Sequence, residues 1–503
     1  MGRNPSGNSG VKSGCCCNVL LAQPVIRHPV DSDVHNPSFG QYFQFMKALA
    51  EQIGFFSLVT SGETTPPMHL LSIASYLCKH AISVSVADLN LAYLSEGSDP
   101  EKELINRLEG DKPKILGITA MESYLLDSVY RLAETAKNCD PKLFIVLGGV
   151  NATAIDEEIL QTNKVDVVVR GEGEVTFFEL CQTLLNQGPL SRVKGISYIE
   201  DNRVVRNPDR PFMNLTELPL PAREIYPLEK MYNLNNGVDA VYASRGCPYK
   251  CLFCNGPSFW KSRWRGRNPD DVVKELDYID RKGGKVAFFY DMNFGFSKEW
   301  ALDLCQKITK AKLKVIWGCE LRVENLLDIK FLEKLYHARC RSVFVGIESM
   351  DQNSLSGVDK GYLVKELNEG LKNAVSVGIN VETTVMIGMP DDTRESIRHT
   401  TNKIIELFQN DLLKLVHYFL CIPWPGTEIG NHPKKYGLNI VCRNHRNLIT
   451  APSVPIASTK YLSAEEVYSL WEEGVVKLCE EVKMKRLFME LQKVLNPKLV
   501  RKE

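Results

Sequence analysis

Two runs of alternating apolar segments and helical patterns, parted by a proline-rich interval, constrain this chain more than any other feature. The first run holds Asn18-Val-Leu-Leu-Ala-Gln23, Ser83–Asp88, Lys114–Thr119, Leu143–Leu147 and Val165–Val169. Helical stretches such as Met68–Lys79, Leu126–Asn138 and Glu174–Asn186 lie between them. Segments this short and apolar read as strands buried on both faces, and intervening helices make them parallel. The expectation is a doubly wound, Rossmann-like α/β sheet. Residues 196–235, with Pro208, Pro211, Pro219, Pro221 and Pro227, read as a linker that begins with a hairpin at Asp201-Asn202. A second alternation follows, with strands at Ala240–Ser244, Val286–Tyr290, Val315–Gly318, Ser342–Ile347, Asn380–Ile387 and Leu415–Leu420. Helices such as Pro269–Arg281, Lys298–Lys310, Asp328–His337 and Val364–Val377 separate most of them. Six such units predict a partial (β/α)6 TIM-like barrel. The expected division is a disordered leader over 1–16, a first domain over 17–195, a linker over 196–235, a barrel over 236–443 and a helical C-terminal region over 444–503.

Composition narrows the function classes. Lys plus Arg equals Asp plus Glu, at 61 each, so no net field draws nucleic acid or anionic lipid. No apolar run reaches the roughly 18 residues that a membrane span needs. The amino terminus lacks the apolar core of a secretory signal. Fifteen cysteines, mostly scattered singly along a long chain, fit a reducing compartment, and a cytoplasmic location is expected. Gly2 with Ser6 fits a loose myristoylation pattern, and Cys15-Cys16-Cys17 suits palmitoylation or metal binding. A Gly/Ser/Asn-rich leader explains the same residues and is the reading taken.

The segment Arg245-Gly-Cys-Pro-Tyr-Lys-Cys-Leu-Phe-Cys-Asn-Gly256 carries the chemistry. Its Cys-x-x-x-Cys-x-x-Cys spacing lets one tight loop bring three thiolates, Cys247, Cys251 and Cys254, to three corners of an iron–sulfur cube. A closed cluster takes four protein thiolates, so the fourth iron is left for a small molecule. About 0.01 accidental matches are expected in a chain of this cysteine content. A structural zinc site would need a second Cys or His pair, and none follows at a suitable distance. The loop comes after the first barrel strand, at the face where such barrels do chemistry.

In the first domain the strand ends carry Thr119, Gly148-Gly149 and Gly171-Glu-Gly-Glu174. Small residues there let backbone approach a bulky flat ligand, although tight turns explain most such glycines. No Gly-x-Gly-x-x-Gly follows the first strand, which argues against a dinucleotide site.

Taken in order around the cysteine loop, these residues resemble the radical S-adenosylmethionine superfamily, and the first half resembles the cobalamin-binding domain fused to one branch of it. The likeness runs over about residues 17–440. In the first half it rests on Pro66-Pro-Met-His-Leu-Leu71, Leu147-Gly-Gly-Val-Asn-Ala-Thr153 and Val169-Arg-Gly-Glu-Gly-Glu174. In the second half it rests on Tyr290-Asp-Met-Asn-Phe294, Gly346-Ile-Glu-Ser349, Gly388-Met-Pro390 and Pro423-Trp-Pro-Gly-Thr427. The resemblance implies that Cys247, Cys251 and Cys254 ligate a 4Fe–4S cluster. It implies that Phe253, Asp291 and Glu348 bind S-adenosylmethionine, and that Thr119, Gly148, Gly149 and Gly171 line cobalamin. Tyr418 and Trp424 are candidates to face substrate, with core filling as the alternative. Two departures stand out. The family's Gly-Gly-x-His-x-Thr phrase has Asn151 at the histidine. Asp33-Val-His35-Asn-Pro-Ser38 approaches the Asp-x-His-x-x-Gly that supplies a lower cobalt ligand, but lacks the glycine.

The function so implied is methyl transfer to an unactivated carbon, or a phosphinate phosphorus, of a small molecule, with a flavodoxin or ferredoxin as electron donor. A cobalamin-dependent cyclase or ring-rearranging enzyme is the alternative. A methylthiotransferase fits less well, because Cys15–Cys17 are bunched and Cys78, Cys139 and Cys181 fall in or beside predicted helices. A non-enzymatic cobalamin carrier leaves the barrel and its cysteine loop unexplained.

Overall fold

A computed structural model describes residues 17–25, 65–449, 452 and 454–495. The cysteines at 15 and 16 and His35 lie outside the described residues.

The first alternation folds as a seven-stranded sheet in the order β2-β1-β3-β4-β5-β6-β7. Strands β1 (Val19–Gln23), β2 (Val84–Asp88), β3 (Ile115–Thr119), β4 (Phe144–Gly148) and β5 (Val167–Val169) are parallel. Strand β1 is buried along its whole length. Its alternate side chains enter two cores, Val19 and Leu21 on one face and Leu20 and Ala22 on the other. Helices α1 (Met68–Lys79) and α2 (Gly173–Leu185) cover the first face, while Leu126–Cys139 and Pro100–Asp111 cover the second. The sheet is therefore wound on both sides, as the continuous apolar runs require.

One boundary differs from the expectation. The hairpin at Asp201-Asn202 belongs to the sheet: β6 (Ile196–Glu200) pairs antiparallel with β5, and β7 (Arg203–Arg206) pairs with β6. Ile196 and Tyr198 point into the core, and both turn residues hold positive φ, 48° and 60°. Such a two-residue turn matches strand twist, so pairing wins over the proline signal that begins farther on.

The second alternation gives six parallel strands in the order β15-β14-β13-β12-β11-β8, an open barrel. These are β8 (Val238–Val241), β11 (Val286–Phe289), β12 (Ile316–Leu321), β13 (Cys340–Glu348), β14 (Asn380–Ile387) and β15 (Leu415–Leu420). Two short strands, β9 (Ser244–Arg245) and β10 (Arg265–Gly266), pair antiparallel and pinch the base of the cysteine loop. The C-terminal helix α3 (Ala464–Leu495) begins against the barrel, where Val467, Leu470 and Trp471 join its main core. Among the described residues no helix is long and apolar enough to cross a membrane.

Candidate active site

The cysteine loop leaves the carboxyl end of the first barrel strand through Gly246. Its φ is +83°, and a Cβ there would sit 2.0 Å from the Arg263 carbonyl oxygen, so only glycine lets the chain turn. Farther along, Leu252 N–H donates to the Val358 carbonyl (3.0 Å), and Ile429 N–H donates to the Leu252 carbonyl (3.2 Å). Backbone bonds thus tie the loop to segments that follow β13 and β15.

Each sulfur has its own donor. Asn293 Nδ2 points at Cys247 Sγ (3.9 Å), Arg322 Nη1 at Cys251 Sγ (3.9 Å) and the Gly256 N–H at Cys254 Sγ (3.2 Å). Arg322 is held for this by Glu324, by the Lys360 carbonyl and by stacking 3.6 Å from the Tyr249 ring centroid. Burial pushes the Cys254 thiol up to about 12 and raises that of Cys247. Each thiol also feels the charge of its neighbours in the trio. The bare thiols of Cys247 and Cys254 keep their protons, and a metal must displace them. Among the described residues no three His, Cys, Asp or Glu side chains stand close enough to share one ion. A cubane needs no such convergence, since each thiolate takes a different iron. Three sulfurs, each with a donor to stabilise its thiolate, fit that group.

Beside Cys254 lies a second cluster. Glu348, at φ +62° on an irregularity in β13, accepts from Lys360 Nζ (2.7 Å) and Thr384 Oγ1 (2.8 Å). A glutamate in the left-handed region is strained, and such strain concentrates at functional sites. Lys360 Nζ also lies 5.6 Å from the Phe253 ring centroid. Phe253, Lys360 and Glu348 therefore form one continuous group at the barrel mouth. Asp291 does something else. It is fully buried, and its two oxygens accept from Ala243 N–H (2.8 Å) and Ser244 Oγ (2.7 Å), so it anchors the backbone leading into Cys247. Burial raises its carboxyl to about 7 despite those donors.

The two domains meet around one cavity of about 520 Å³. Thr119, Gly148, Gly149 and Gly171, from the carboxyl ends of β3 to β5, form one wall; Tyr242, Tyr290, Met292 and Glu320 of the barrel form the other. Trp260, at the end of the helix that follows Cys254, closes the side. Gly149 has φ +117°, and a Cβ there would lie 2.7 Å from the Ala120 carbonyl oxygen; beside Gly171 a Cβ would meet nothing within 4 Å. Gly148, Gly149 and Gly171 thus leave bare backbone along this wall, and His69 Nε2 at its edge is buried without a partner among the described residues. Bare backbone and orphaned donor–acceptor fit a large flat cofactor. Burial raises Glu122 to about 7, and burial with the Asp291 charge raises Glu320 to about 8.

What locks the halves together is ionic. Arg245, two residues before Cys247, donates to Glu174 Oε1 (2.5 Å) and Glu172 Oε1 (2.9 Å) of the first domain. Arg265 Nη2 joins Glu172 (2.6 Å), and Ser72 Oγ joins Glu174 (2.6 Å). Burial alone would raise Glu174, but the Arg245 guanidinium holds it at about 2.

Two sequence candidates fall elsewhere. Tyr418 is fully buried on the outer face of β15, its hydroxyl bonded to Thr401 and its carbonyl accepting from Trp471 Nε1. Odd-numbered His417 and Phe419 are the β15 side chains that point inward, because side chains alternate along a strand. Trp424 is half-buried with its Nε1 bonded to the Leu448 carbonyl, packed on the C-terminal segment and not on the cavity. Both are packing residues. Sequence reasoning missed His69, Arg322 and Lys360, whose neighbours are distant in the chain. Arg245 sat unread inside the cysteine segment itself.

A half-barrel with a three-thiol loop, clamped by salt bridges to a doubly wound domain across a shared cavity, defines a two-domain metalloenzyme. The family comparisons agree. The model of the radical SAM superfamily matches residues 241–404, and that of the B12 binding domain matches residues 56–181. An uncharacterized methyltransferase of Pyrococcus horikoshii is 30% identical over 418 residues, covering 82% of this chain and 88% of that one. The anaerobic magnesium-protoporphyrin IX monomethyl ester cyclase of Rubrivivax gelatinosus is 29% identical over 376 residues, covering 72% and 65%. Among solved structures, the radical S-adenosylmethionine methyltransferase TsrM of Kitasatospora setae superposes with a TM-score of 0.65 at 17% identity, covering 84% of this chain and 78% of that one. This chain belongs to the cobalamin-binding radical S-adenosylmethionine superfamily. It is a radical enzyme whose cofactors are a 4Fe–4S cluster, S-adenosylmethionine and cobalamin.

Proposed function

We propose that this enzyme transfers a methyl group to an unactivated carbon, or a phosphinate phosphorus, of a small and mostly apolar molecule. The observation that carries the reading is the single cavity walled by the glycine cradle of one domain and the barrel mouth of the other. Cys247, Cys251 and Cys254 would ligate the cluster, with Asn293, Arg322 and the Gly256 N–H stabilising the three thiolates. Phe253, Glu348 and Lys360 would hold S-adenosylmethionine beside it, and Thr119, Gly148, Gly149 and Gly171 would seat cobalamin. When bound, these groups supply one-electron cleavage of the sulfonium and a transferable methyl. The chain's own contribution is orientation and exclusion of water. Arg245 with Glu172 and Glu174 sets the spacing of the two walls, and Leu21, Met68, Ile73, Phe177 and Trp260 make the interior apolar. Tyr242, Tyr290 and Glu320 are the polar groups placed to orient a substrate.

The reading includes a first domain that runs through β7, a barrel that begins near residue 236, a flavodoxin or ferredoxin as donor and a cytoplasmic setting. The cyclase named among the relatives, at 29% identity, supports ring formation without methyl transfer as a second reading. Anaerobic turnover with methyl-labelled S-adenosylmethionine, reductant and cobalamin tests both. Label appearing in a product supports methyl transfer. Formation of 5′-deoxyadenosine with an unlabelled, altered substrate would favour the cyclase instead, and neither product would refute both.

A further inference from the structure

We infer that His69 supplies the lower axial nitrogen ligand to the cobalt of bound cobalamin. The inference rests on cobalamin occupying the shared cavity. His69 is the second residue of α1, which starts at the carboxyl end of the first domain's sheet, and it lines the cavity together with Thr119, Gly148 and Gly149. Its Nε2 is buried and has no hydrogen-bond partner among the described residues. Buried polar atoms are normally paired, so one left without a partner calls for something that fills the site.

The side from which it approaches matters. Substrate and S-adenosylmethionine belong to the barrel side, the domain that carries the cysteine loop, Phe253 and Glu348. A flat cofactor between the walls turns its reactive face to the barrel and its opposite face to the first domain. His69 belongs to the first domain. It also answers the gap left by Asp33-Val-His35-Asn-Pro-Ser38, which lacks the glycine of the usual ligand motif. Ligation needs a neutral ring with a free lone pair, and burial holds the imidazole at about 4 although the Glu174 charge pulls upward. The step is simple coordination: the Nε2 lone pair forms a bond to cobalt, the nucleotide base gives up that position, and no electron or proton is transferred.

The test is electron paramagnetic resonance of the full chain reconstituted anaerobically with cob(II)alamin. The unpaired electron of low-spin cobalt(II) lies along the axial direction and couples to an axial nitrogen. Natural-abundance protein should show three-line splitting, and protein grown on nitrogen-15 histidine should show two-line splitting. In His69→Ala the label-dependent splitting should be lost, whereas His35→Ala should keep it. Splitting that ignores the histidine label, no splitting at all, or a doublet that survives in His69→Ala or vanishes in His35→Ala would overturn the inference while leaving cobalamin binding intact. If His69→Ala does not fold, the isotope exchange in the unaltered chain still decides whether a histidine is bound. Absence of any cobalamin uptake would overturn both this inference and the proposed function.

Discussion

Arg245→Met removes one guanidinium from the interface while keeping most of its length, and it should destabilise the protein severely. In the intact chain Glu174 is held at about 2, against an ordinary 4.5. A gap of about 2.5 pH units, at 1.36 kcal/mol each, corresponds to about 3 kcal/mol. That agrees with the roughly 3–5 kcal/mol expected when a buried pair loses one partner and strands the other. The sign follows from the direction of the shift. A carboxyl depressed in the folded state contributes its full stability above 4.5 and loses it as pH falls toward 2. Urea unfolding of the metal-free protein at pH 7 and pH 3 would read both effects. The unaltered chain should lose about 2 kcal/mol on acidification, the part of the shift lying between 4.5 and 3, and Arg245→Met should already lose about 3 kcal/mol at pH 7. A double cycle with Glu174→Gln should return a coupling of about 3 kcal/mol, since the two groups are in direct contact. A single-variant loss below about 1 kcal/mol, or additive losses in the cycle, would refute the claim that this pair clamps the domains.

Three further outcomes are expected. Cys251→Ala should abolish iron and sulfide uptake on anaerobic reconstitution while cobalamin still binds, as measured by metal analysis and visible absorption. Gly149→Ala should cost at least about 1–3 kcal/mol, because φ of +117° suits glycine alone and the new Cβ would strike the Ala120 carbonyl; unfolding midpoints and cobalamin retention report it. Glu320 is raised to about 8, so the folded protein loses stability as pH rises from 4.5 through 8. Glu320→Gln should flatten that loss by about 2 kcal/mol, less than the full shift implies because the carboxyl borders the cavity and is screened there.

Much of the site was legible because its signals are local. Three cysteines within eight residues, and glycines directly after apolar runs, sit in one loop or one strand end whatever surrounds them. The half-barrel followed from periodicity for the same reason. Asp291 shows where that legibility ends: its place at a strand end was readable, but not that both oxygens are taken by Ala243 and Ser244. Tyr418 shows it too, since a shift of one residue along β15 turns a side chain from the barrel interior to the helix layer. The hairpin at Asp201-Asn202 was recognised as a turn, yet its pairing with β5 depends on a strand far from it in sequence.

The amino-acid order alone thus determined the two α/β units, the thiol loop and the glycine-lined strand ends, because spacing over a few residues settles each of them. Tertiary structure decided which walls share the cavity, that Arg245 bridges to Glu172 and Glu174 some 70 residues away, and that Arg322 and Lys360 reach the cysteine loop. The physical reason is that charge pairing and burial depend on distances in space, and a chain fixes those only once its sheets have closed and its two cores have packed.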